Sequence, residues 1–370
     1  MLARTPGTRV TDSEVEEFRE GLLRWFEEHR RELPWRQAGD PYAVWVSEIM
    51  LQQTRVATVM EYFDRWMGRF PTVEDLAAAP VEEVLKLWAG LGYYGRARRL
   101  HEAAGQVVAR GGEVPSTVDE LRELPGVGPY TAGAIASIAF GRVAPLVDGN
   151  VIRVLTRWAG IEGDPGKGAA KREIWRLAGE LVDRDQPGDF NQALMEVGSL
   201  VCTPRSPKCE ECPIATGCVA RAGGEQERFP QLPKRVEPKA MRGRCGVVSR
   251  QGGGGREVLL RRRPGKGLLG GLWEFPGVEA ESTAWPTLGE LKGLLESGPI
   301  EAVERPRRAF GEVEHVFSHR HLRLRIHGVE ADPGAAMEGW RWVPEEELEQ
   351  LQSSALFAKV VAAIVSKRGR

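Results

Sequence analysis

Hydrophobic residues recur at helical spacing through the first 220 positions of the chain. Between residues 14 and 31 this face carries Val15, Phe18, Leu22, Leu23 and Phe26, the pattern of an amphipathic helix packed on a core. Asp40 and Pro41 suit the cap and first position of a second helix that runs to about Thr54. Further helices are predicted at about residues 54–67, 81–91, 95–110, 169–182 and 189–201, so this part is predicted to be all-helical.

The pattern changes to alternation in the last third of the chain. Leu322, Leu324 and Ile326 fall on one face of a predicted strand. Arg323, Arg325 and His327 fall on the other face. Other strand-like runs lie at residues 245–250, 257–263, 312–318 and 340–343, around a helical segment near 288–295, and two helices end the chain. This arrangement predicts a small α+β domain.

A segment rich in proline and charge separates the two patterns. Residues 222–241 include Pro230, Pro233 and Pro238 together with several basic residues, as in a semi-rigid basic linker. We therefore predict a multidomain protein with an all-helical domain at 1–221, a linker at 222–241 and an α+β domain at 242–370.

Composition restricts the classes of function. The 370 residues carry a net charge of −1, and 42% of them are hydrophobic, so any binding of nucleic acid must use local basic patches. The chain has no apolar run of membrane-spanning length and no signal-like N-terminal core. These features favour a soluble cytoplasmic protein, with no membrane partner.

Four of the five cysteines are clustered. Cys202, Cys209, Cys212 and Cys218 are separated by six, two and five residues. Zinc sites usually use two short pairs that lie far apart, whereas four thiolates on one loop suit a [4Fe–4S] cluster. Cys245 lies in the second domain and is predicted to be a buried thiol.

Residues 117–140 predict a helix, a tight hairpin and a second helix. Thr117 and Glu120 suit a capping box, and Pro129 suits the first turn of the second helix. Gly126, Val127 and Gly128 form the hairpin, where backbone N–H groups at a helix N-terminus can approach a phosphate. An ordinary helical corner with glycines for packing is the alternative interpretation.

Two carboxylates stand out as candidate catalytic groups. Glu48 interrupts an apolar helix and has no basic residue four positions away, so desolvation is expected to raise its pKa toward that of a general acid. Asp148 precedes a separate helix, whose dipole favours the charged form of a carboxylate. Together with a phosphate-binding hairpin, the pair indicates chemistry on a nucleic acid.

Six motifs follow one another along the chain. They are Leu33-Pro34-Trp35-Arg36, Glu48 to Thr54, Leu91-Gly92-Tyr93-Tyr94, Leu124 to Gly128, Val147 to Val151 and the four cysteines. Jointly they resemble the MutY-type adenine DNA glycosylases, and the likeness spans nearly the whole chain. It implies a helix-hairpin-helix glycosylase domain with an iron–sulfur loop at 202–218, followed by a Nudix-like domain. The implied substrate is duplex DNA with adenine opposite 8-oxoguanine, bound by a monomer.

The resemblance also implies residue roles. Glu48 would protonate adenine, Asp148 would stabilise the sugar cation, and Tyr130 and Asn150 would hold this site. The flipped base would be bound by a pocket that includes Arg31, Leu33, Trp35, Arg36, Gln52 and Gln192. Gln53 and Tyr93 would fill the base stack, and Phe317, Ser318 and His319 would read 8-oxoguanine.

Two departures from related families refine these expectations. Endonuclease III relatives carry a lysine nucleophile where this chain has Tyr130, so no Schiff base is expected and the enzyme should be monofunctional. The segment from Gly270 to Gly277 resembles the start of a Nudix motif without the acidic helix that binds Mg²⁺. A bifunctional pyrimidine-lesion glycosylase and a redox-sensing DNA-binding protein are the alternative functions.

Overall fold

The computed structural model describes residues 10–37, 39–233, 237–253, 255–265, 267–282, 284–303, 308–317, 319–351 and 353–368. The chain forms two compact units. Met1–Leu87 and Arg96–Lys234 make up the first, and Trp88–Gly95 and Arg235–Arg370 make up the second. The predicted fold class is confirmed, because helices dominate up to residue 222 and a β-sheet follows.

The helices up to residue 222 are α1 (Asp12–His29), α2 (Pro34–Gln37), α3 (Pro41–Leu51), α4 (Val56–Arg69), α5 (Val73–Ala78), α6 (Val81–Trp88), α7 (Gly95–Ala109), α8 (Val118–Arg122), α9 (Pro129–Ile138), α10 (Gly149–Ala159), α11 (Gly168–Leu181), α12 (Pro187–Leu200) and α13 (Val219–Ala222). Three-ten turns lie at Cys209–Glu211 and Gln226–Arg228. The sequence pattern did not predict α2 or α5, because helices this short cannot display a hydrophobic period.

Helix α1 packs through the apolar face that its sequence predicts. Thr11 caps it in a capping box with Glu14, which satisfies N–H groups that have no partner within the helix. The buried Phe18 lies 4.7 Å from Trp158 of α10 and 6.1 Å from Phe190 of α12, measured between ring centroids. These contacts join α1, α10 and α12 in one core.

Helix α3 is enclosed on all sides. Asp40 caps it by accepting a 2.9 Å hydrogen bond from the Tyr42 N–H, and Pro41 occupies its first turn. The side chains from Tyr42 to Met50 are all buried. This burial explains the nearly continuous apolar sequence, and it places Glu48 in the protein interior.

The second unit is built on a mixed sheet. Its strands are β1 (Lys239–Gly252), β2 (Gly255–Arg262), β3 (Trp273–Glu274), β4 (Gly277–Ala280), β5 (Ile300–Val303), β6 (Gly311–Val316), β7 (Arg320–Pro333) and β8 (Trp340–Pro344). Neighbouring strands follow the order β3-β2-β1-β7-β5, while β4 pairs with β1, β6 with β7 and β8 with β2. β1 and β7 are parallel, and the other pairs are antiparallel.

Each face of this sheet packs against a helix. As the alternation predicts, Leu322, Leu324 and Ile326 are buried together, and they share a core with α15 (Ala355–Arg368). On the opposite face, Val248 and Val329 pack with α14 (Leu288–Glu296). This α+β arrangement agrees with the predicted domain class.

Two details of the second unit differ from the sequence predictions. Among the described residues, one α-helix, α15, ends the chain, and the other predicted helix is only a three-ten turn at Glu345–Glu347. Strand β1 begins at Lys239, so the last residues of the predicted linker at 222–241 belong to the sheet. An extended strand tolerates the basic and small residues that made this segment resemble a linker.

Candidate active site

Glu48 and Tyr130 are in direct contact at the centre of the helical unit. The Tyr130 hydroxyl, near the start of α9, donates a 2.6 Å hydrogen bond to Glu48 Oε2. Glu48 is only 4% exposed. The raised pKa predicted from the sequence is confirmed, because burial raises the pKa of Glu48 to about 7, with the nearby Asp148 also raising it and Tyr130 and Arg36 opposing the shift.

Tyr130 keeps its proton at neutral pH. Burial raises its pKa well above the ordinary value, and the negative charges of Glu48 and Asp148 raise it further. The same hydroxyl lies 3.4 Å from the sulfur of Met195. Tyr130 is therefore a hydrogen-bond donor to Glu48 and not a base.

Asp148 is the N-cap of α10. Its Oδ1 accepts a 2.7 Å hydrogen bond from the Val151 N–H, and its Oδ2 accepts a 2.8 Å hydrogen bond from Asn150 Nδ2. These bonds and Arg153 lower the pKa, but burial is the larger effect and the net shift is upward. The expectation of a carboxylate that ionises more easily than usual is therefore wrong, although the predicted helix start is correct.

Both carboxylates line one cavity of about 190 Å³. The predicted site residues that share this lining are Arg31, Leu33, Trp35, Arg36, Glu48, Tyr130, Asp148, Asn150 and Gln192. Trp35 is also a core residue, since it packs edge-on against Phe63 with ring centroids 5.3 Å apart. The cavity therefore combines a carboxyl group of raised pKa, a second carboxylate and apolar side chains.

Glu196 of α12 is a cavity residue that the sequence motifs did not identify. It is 1% exposed, and Arg36 Nη1 and Arg31 Nε lie 2.6 Å and 3.4 Å from its Oε1. Oε1 is thus engaged by the arginines, whereas Oε2 has no hydrogen-bond partner among the described residues. A buried carboxylate with unused acceptor capacity can bind a donor group of a ligand. The sequence signal for Glu196 was its position one helical turn after the predicted site residue Gln192, which places the two side chains on the same face of the helix.

The hairpin before α9 presents backbone N–H groups. Gly126 has φ +84°, and an added Cβ there would lie 2.9 Å from the Cβ of Arg99, so this position requires glycine. Gly128 caps α9. No described residue accepts a hydrogen bond from the N–H of either glycine, whereas the Val127 N–H is bonded to Leu124 O at 3.1 Å. Gly126 and Gly128 are thus available to an anion, and Val127 is not.

Other predicted site residues lie outside the cavity lining. Gln52 bonds Thr131 through a 3.2 Å contact between Nε2 and Oγ1. Gln53, with φ +59°, and Tyr93, with φ +49° and 51% exposure, lie in loops of different units. Positive φ is uncommon outside glycine and often marks functional loops.

The residues predicted to read 8-oxoguanine fall at the turn between β6 and β7. The Phe317 N–H donates a 2.7 Å hydrogen bond to Arg320 O, and its ring packs edge-on against His315 with centroids 4.4 Å apart. His319 is exposed, and Ser318 lies outside the described residues.

The cysteine loop has the chemistry of a cluster site. Cys202, Cys212 and Cys218 pack beside the helical core. Burial raises the pKa of Cys212 to about 12, and the other three thiols contribute to this shift. The four thiols fit an iron–sulfur cluster.

A chain of hydrogen bonds connects Asp148 to this loop. Asn150 donates to Asp148, and Asn150 Oδ1 accepts a 2.8 Å hydrogen bond from Arg153 Nη2. Arg153 Nε in turn donates to the Cys202 carbonyl at 2.7 Å. Nη1 of Arg157, one turn later on α10, lies 3.3 Å from Cys202 Sγ. Helix α10 therefore has the candidate catalytic carboxylate at its start and holds the first cysteine from its side.

Three models of known protein families match this chain. Residues 46–180 match the HhH-GPD superfamily of base excision DNA repair proteins, residues 202–218 match the iron–sulfur binding domain of endonuclease III, and residues 245–363 match the NUDIX domain. The helical fold and this family match thus define a helix-hairpin-helix DNA glycosylase.

The chain is also similar to individual relatives and solved structures. It is 41% identical to the human adenine DNA glycosylase over 94% of this chain and 74% of that protein. A structure of a thermostable thymine-DNA glycosylase aligns with TM-score 0.53 and 32% identity, covering 58% of this chain and all of that one. A non-covalent endonuclease III–DNA complex aligns with TM-score 0.50 and 26% identity, over 60% and 100% of the two chains. The chain belongs to the adenine DNA glycosylase family.

Family membership establishes the general activity and the cofactor. The protein is a base excision repair hydrolase that cleaves the N-glycosidic bond of adenine in DNA. Its cofactor is a [4Fe–4S] cluster, and Cys202, Cys209, Cys212 and Cys218 would hold it and so cross-link their loop. In the part of the chain that the structure describes, no helix combines the length and apolarity needed to cross a bilayer.

Proposed function

We propose that this enzyme removes adenine paired with 8-oxoguanine or guanine in duplex DNA. In this proposal the helical domain cleaves the bond, and the Nudix-like domain recognises the partner base. Glu48 is the general acid, Asp148 stabilises the sugar cation, and the reaction has no lyase step. The observation that carries the proposal is a buried acid with a pKa of about 7 that shares a cavity with a second carboxylate.

The protonation state of Glu48 supports its role as an acid. A pKa raised to about 7 allows Glu48 to carry a proton at neutral pH, as a general acid must. Glu48 transfers this proton to a ring nitrogen of adenine, the bond between the base and C1′ breaks, and its electron pair leaves with the base. Glu48 then accepts a proton from the water that adds to C1′.

Asp148 supplies the negative charge that this reaction needs. The departing base leaves an oxocarbenium-like sugar, which a nearby carboxylate stabilises electrostatically. The Val151 N–H and the Asn150 amide fix both Asp148 oxygens. Because Asp148 is already oriented, little reorganisation is needed when the positive charge forms.

Adenine selectivity is proposed to come from the polar wall of the cavity. Glu196 Oε1 is paired with Arg36 and Arg31, and its buried Oε2 has no hydrogen-bond partner among the described residues. The exocyclic amine of adenine can donate to Glu196, and the arginines can donate to ring nitrogens. Leu33, Trp35 and Gln192 complete the wall. Unpaired buried groups would disfavour a base with the wrong pattern.

Tyr130 supports a monofunctional mechanism. A phenol cannot form the Schiff base that begins strand cleavage, and this hydroxyl is bonded to Glu48. The partner base is assigned to the turn that contains Phe317, Ser318 and His319 through the family resemblance. The Phe317 N–H is hydrogen-bonded to the Arg320 carbonyl at 2.7 Å.

Single-turnover adenine release tests this function. We expect rapid release opposite 8-oxoguanine, slower release opposite guanine and little opposite cytosine. Equal rates opposite the three partners would refute the proposed preference. Efficient trapping of the enzyme on DNA by borohydride would refute the monofunctional mechanism.

The Glu48→Gln variant tests the proposed acid separately. Release should fall by about 10²- to 10⁴-fold, the usual contribution of a general acid, while DNA binding persists. Glu61→Gln, at an exposed position, is the matched control. Normal release by Glu48→Gln would exclude Glu48 as the acid.

A further inference from the structure

One face of the second unit's sheet has an apolar end and an arginine end. Val248 of β1 and Val329 of β7 are neighbours in the parallel ladder and pack against α14. Arg244 and Arg325 are neighbours in the same ladder, four residues earlier in each strand. Because every second residue of a strand points to the same side, these arginines share the face of the two valines.

A tryptophan gathers the cations at the arginine end. The guanidinium carbon atoms of Arg325, Arg242 and Arg244 lie 3.8, 5.4 and 5.9 Å from the centroid of the Trp285 ring. Cations are attracted to the face of an indole ring. Trp285 therefore fixes the positions of several guanidinium groups that would otherwise repel one another.

These side chains border an open groove of about 550 Å³, which we call the arginine groove. Arg244, Arg308 and Arg325 line it, with His327 and Phe310 in its wall. Of the described residues in this lining, one is a carboxylate, Glu312. The cations therefore outnumber the anions in the groove.

Among the described residues of the lining, Glu312 alone brings a negative charge to the arginines. Glu312 is shared, because Oε1 lies 2.6 Å from Arg323 Nη2 and Oε2 accepts a 3.3 Å hydrogen bond from Arg325 Nε. Arg244 donates to the carbonyl of Pro286 and lies 2.9 Å from Nε2 of His327 through its Nη1. Neither of these two groups is a carboxylate.

The electrostatics of the groove favour an anion. Desolvation lowers the pKa of Arg244, and the neighbouring Arg325 cation lowers it further. An anion between the two guanidinium groups would offset this repulsion. Guanidinium groups bind phosphate oxygens through paired, charge-assisted hydrogen bonds.

The spacing of the arginines suits a repeating anion. Arg242 lies outside the groove lining but is two residues from Arg244 on β1, an α-carbon separation of about 6.6 Å in an extended strand. Arg308 and Arg325 extend the cationic lining beyond β1. A row of cations can contact successive phosphates, whereas a single small anion would use only part of it.

We propose that the arginine groove is a phosphate-binding site that holds the backbone of a DNA strand. This site lies in the Nudix-like domain, on residues separate from those proposed to read the partner base. It contributes affinity without sequence preference, because phosphate contacts position a protein on DNA and carry no base information.

The salt dependence of DNA binding tests the groove. Each phosphate contact contributes about 0.9 to the slope of log K against log salt concentration. In the cluster-loaded full chain, Arg308→Gln should reduce this slope by about one, and Arg244→Gln with Arg308→Gln by about two. Arg256→Gln is the matched control, because Arg256 lies on β2 outside the groove lining and pairs with Glu345. Its slope should equal that of the unmodified chain.

Other results would contradict the inference in distinct ways. Unchanged slopes in both groove variants would exclude phosphate contacts there. If the double variant lost binding of ATP but kept the DNA slope, the site would belong to a free nucleotide. If it lost binding of polyglutamate and kept the DNA slope, the site would take an acidic peptide. Adenine release by the unmodified chain is measured separately, so a failed groove test leaves the catalytic proposal intact.

Discussion

The Tyr130 hydroxyl donates a 2.6 Å hydrogen bond to Glu48 Oε2 inside the cavity. The two residues are 82 positions apart in the chain. This bond stabilises the charged form of Glu48, whereas burial favours the protonated form more strongly. The balance of the two effects sets the pKa of Glu48 at about 7.

Tyr130→Phe should therefore move the pH dependence of adenine release. Without the hydroxyl, the carboxylate loses a stabilising hydrogen bond and the pKa of Glu48 rises, by about one unit or more for a bond to a charged group. Release requires the protonated acid and falls as pH rises through this pKa. The falling limb should shift to higher pH in single-turnover profiles.

Tyr62→Phe is the control for this shift, because Tyr62 stacks beside Arg65 away from the cavity lining. It should leave the profile in place. A limb that stayed fixed or moved to lower pH in Tyr130→Phe would show that the hydroxyl does not stabilise the charged form of Glu48.

Glu196→Gln should reduce the preference for adenine over purine, which lacks the exocyclic amine. If that amine donates to the carboxylate, the bond is worth roughly 1.5–3 kcal/mol, or about 10- to 100-fold in rate. The measurement is the ratio of adenine to purine release in each enzyme, which cancels the intrinsic reactivity of the two bases. Glu83→Gln removes a surface partner of Arg69 instead and should retain the original ratio. An unchanged ratio in Glu196→Gln would argue against base recognition by this residue.

Local sequence predicted the position of Glu48 well, for a reason visible in α3. The helix is apolar on nearly every face, so a central glutamate without a basic neighbour has to be buried. The partners that tune its pKa could not be read locally, since Tyr130 and Asp148 come from distant helices.

Local sequence could not predict two features of the site, the direction of the Asp148 pKa shift and the contacts of Glu196. The N-cap position of Asp148 has a local signature, and it was predicted correctly. The direction of its pKa shift depends on burial by other helices, which a sequence window does not reveal. Glu196 meets Arg31 and Arg36 only after α12 packs beside the N-terminal segment. Its role required the tertiary structure.

Gly198→Ala should damage the site without changing a polar group. A Cβ at residue 198 would lie 2.6 Å from the Cβ of Asn150, and Asn150 holds Asp148. Both backbones lie in packed helices, so the overlap should cost about 1–3 kcal/mol of stability and displace Asn150. Adenine release and thermal unfolding measure the two effects.

Gly105→Ala provides the comparison for this change. An added Cβ at residue 105 of α7 meets nothing within 4 Å, so alanine should stabilise this helix by about 0.5–1 kcal/mol. Normal adenine release and an unchanged melting temperature in Gly198→Ala would mean that α10 and α12 can separate without affecting Asp148.

Arg96 should be required for the stability of α3, the helix that carries Glu48. Its buried Nη1 donates to the carbonyls of Ile49, Met50 and Gln52 at 2.8, 2.9 and 2.6 Å, which are carbonyls at the helix end without partners in the next turn. The three carbonyls share the two hydrogens of Nη1, and hydrogen bonds from a charged donor are worth about 1.5–3 kcal/mol each. Loss of the two hydrogens in Arg96→Gln should therefore lower stability by roughly 3–6 kcal/mol. Arg96→Lys should recover part of the loss, because it keeps the cation but cannot reproduce the planar group.

Arg110→Gln is the control for this change. It breaks an exposed pair with Glu123 and should cost at most about 1 kcal/mol of stability. Thermal unfolding of the three variants tests this order, and equal melting temperatures for Arg96→Gln and Arg110→Gln would contradict it.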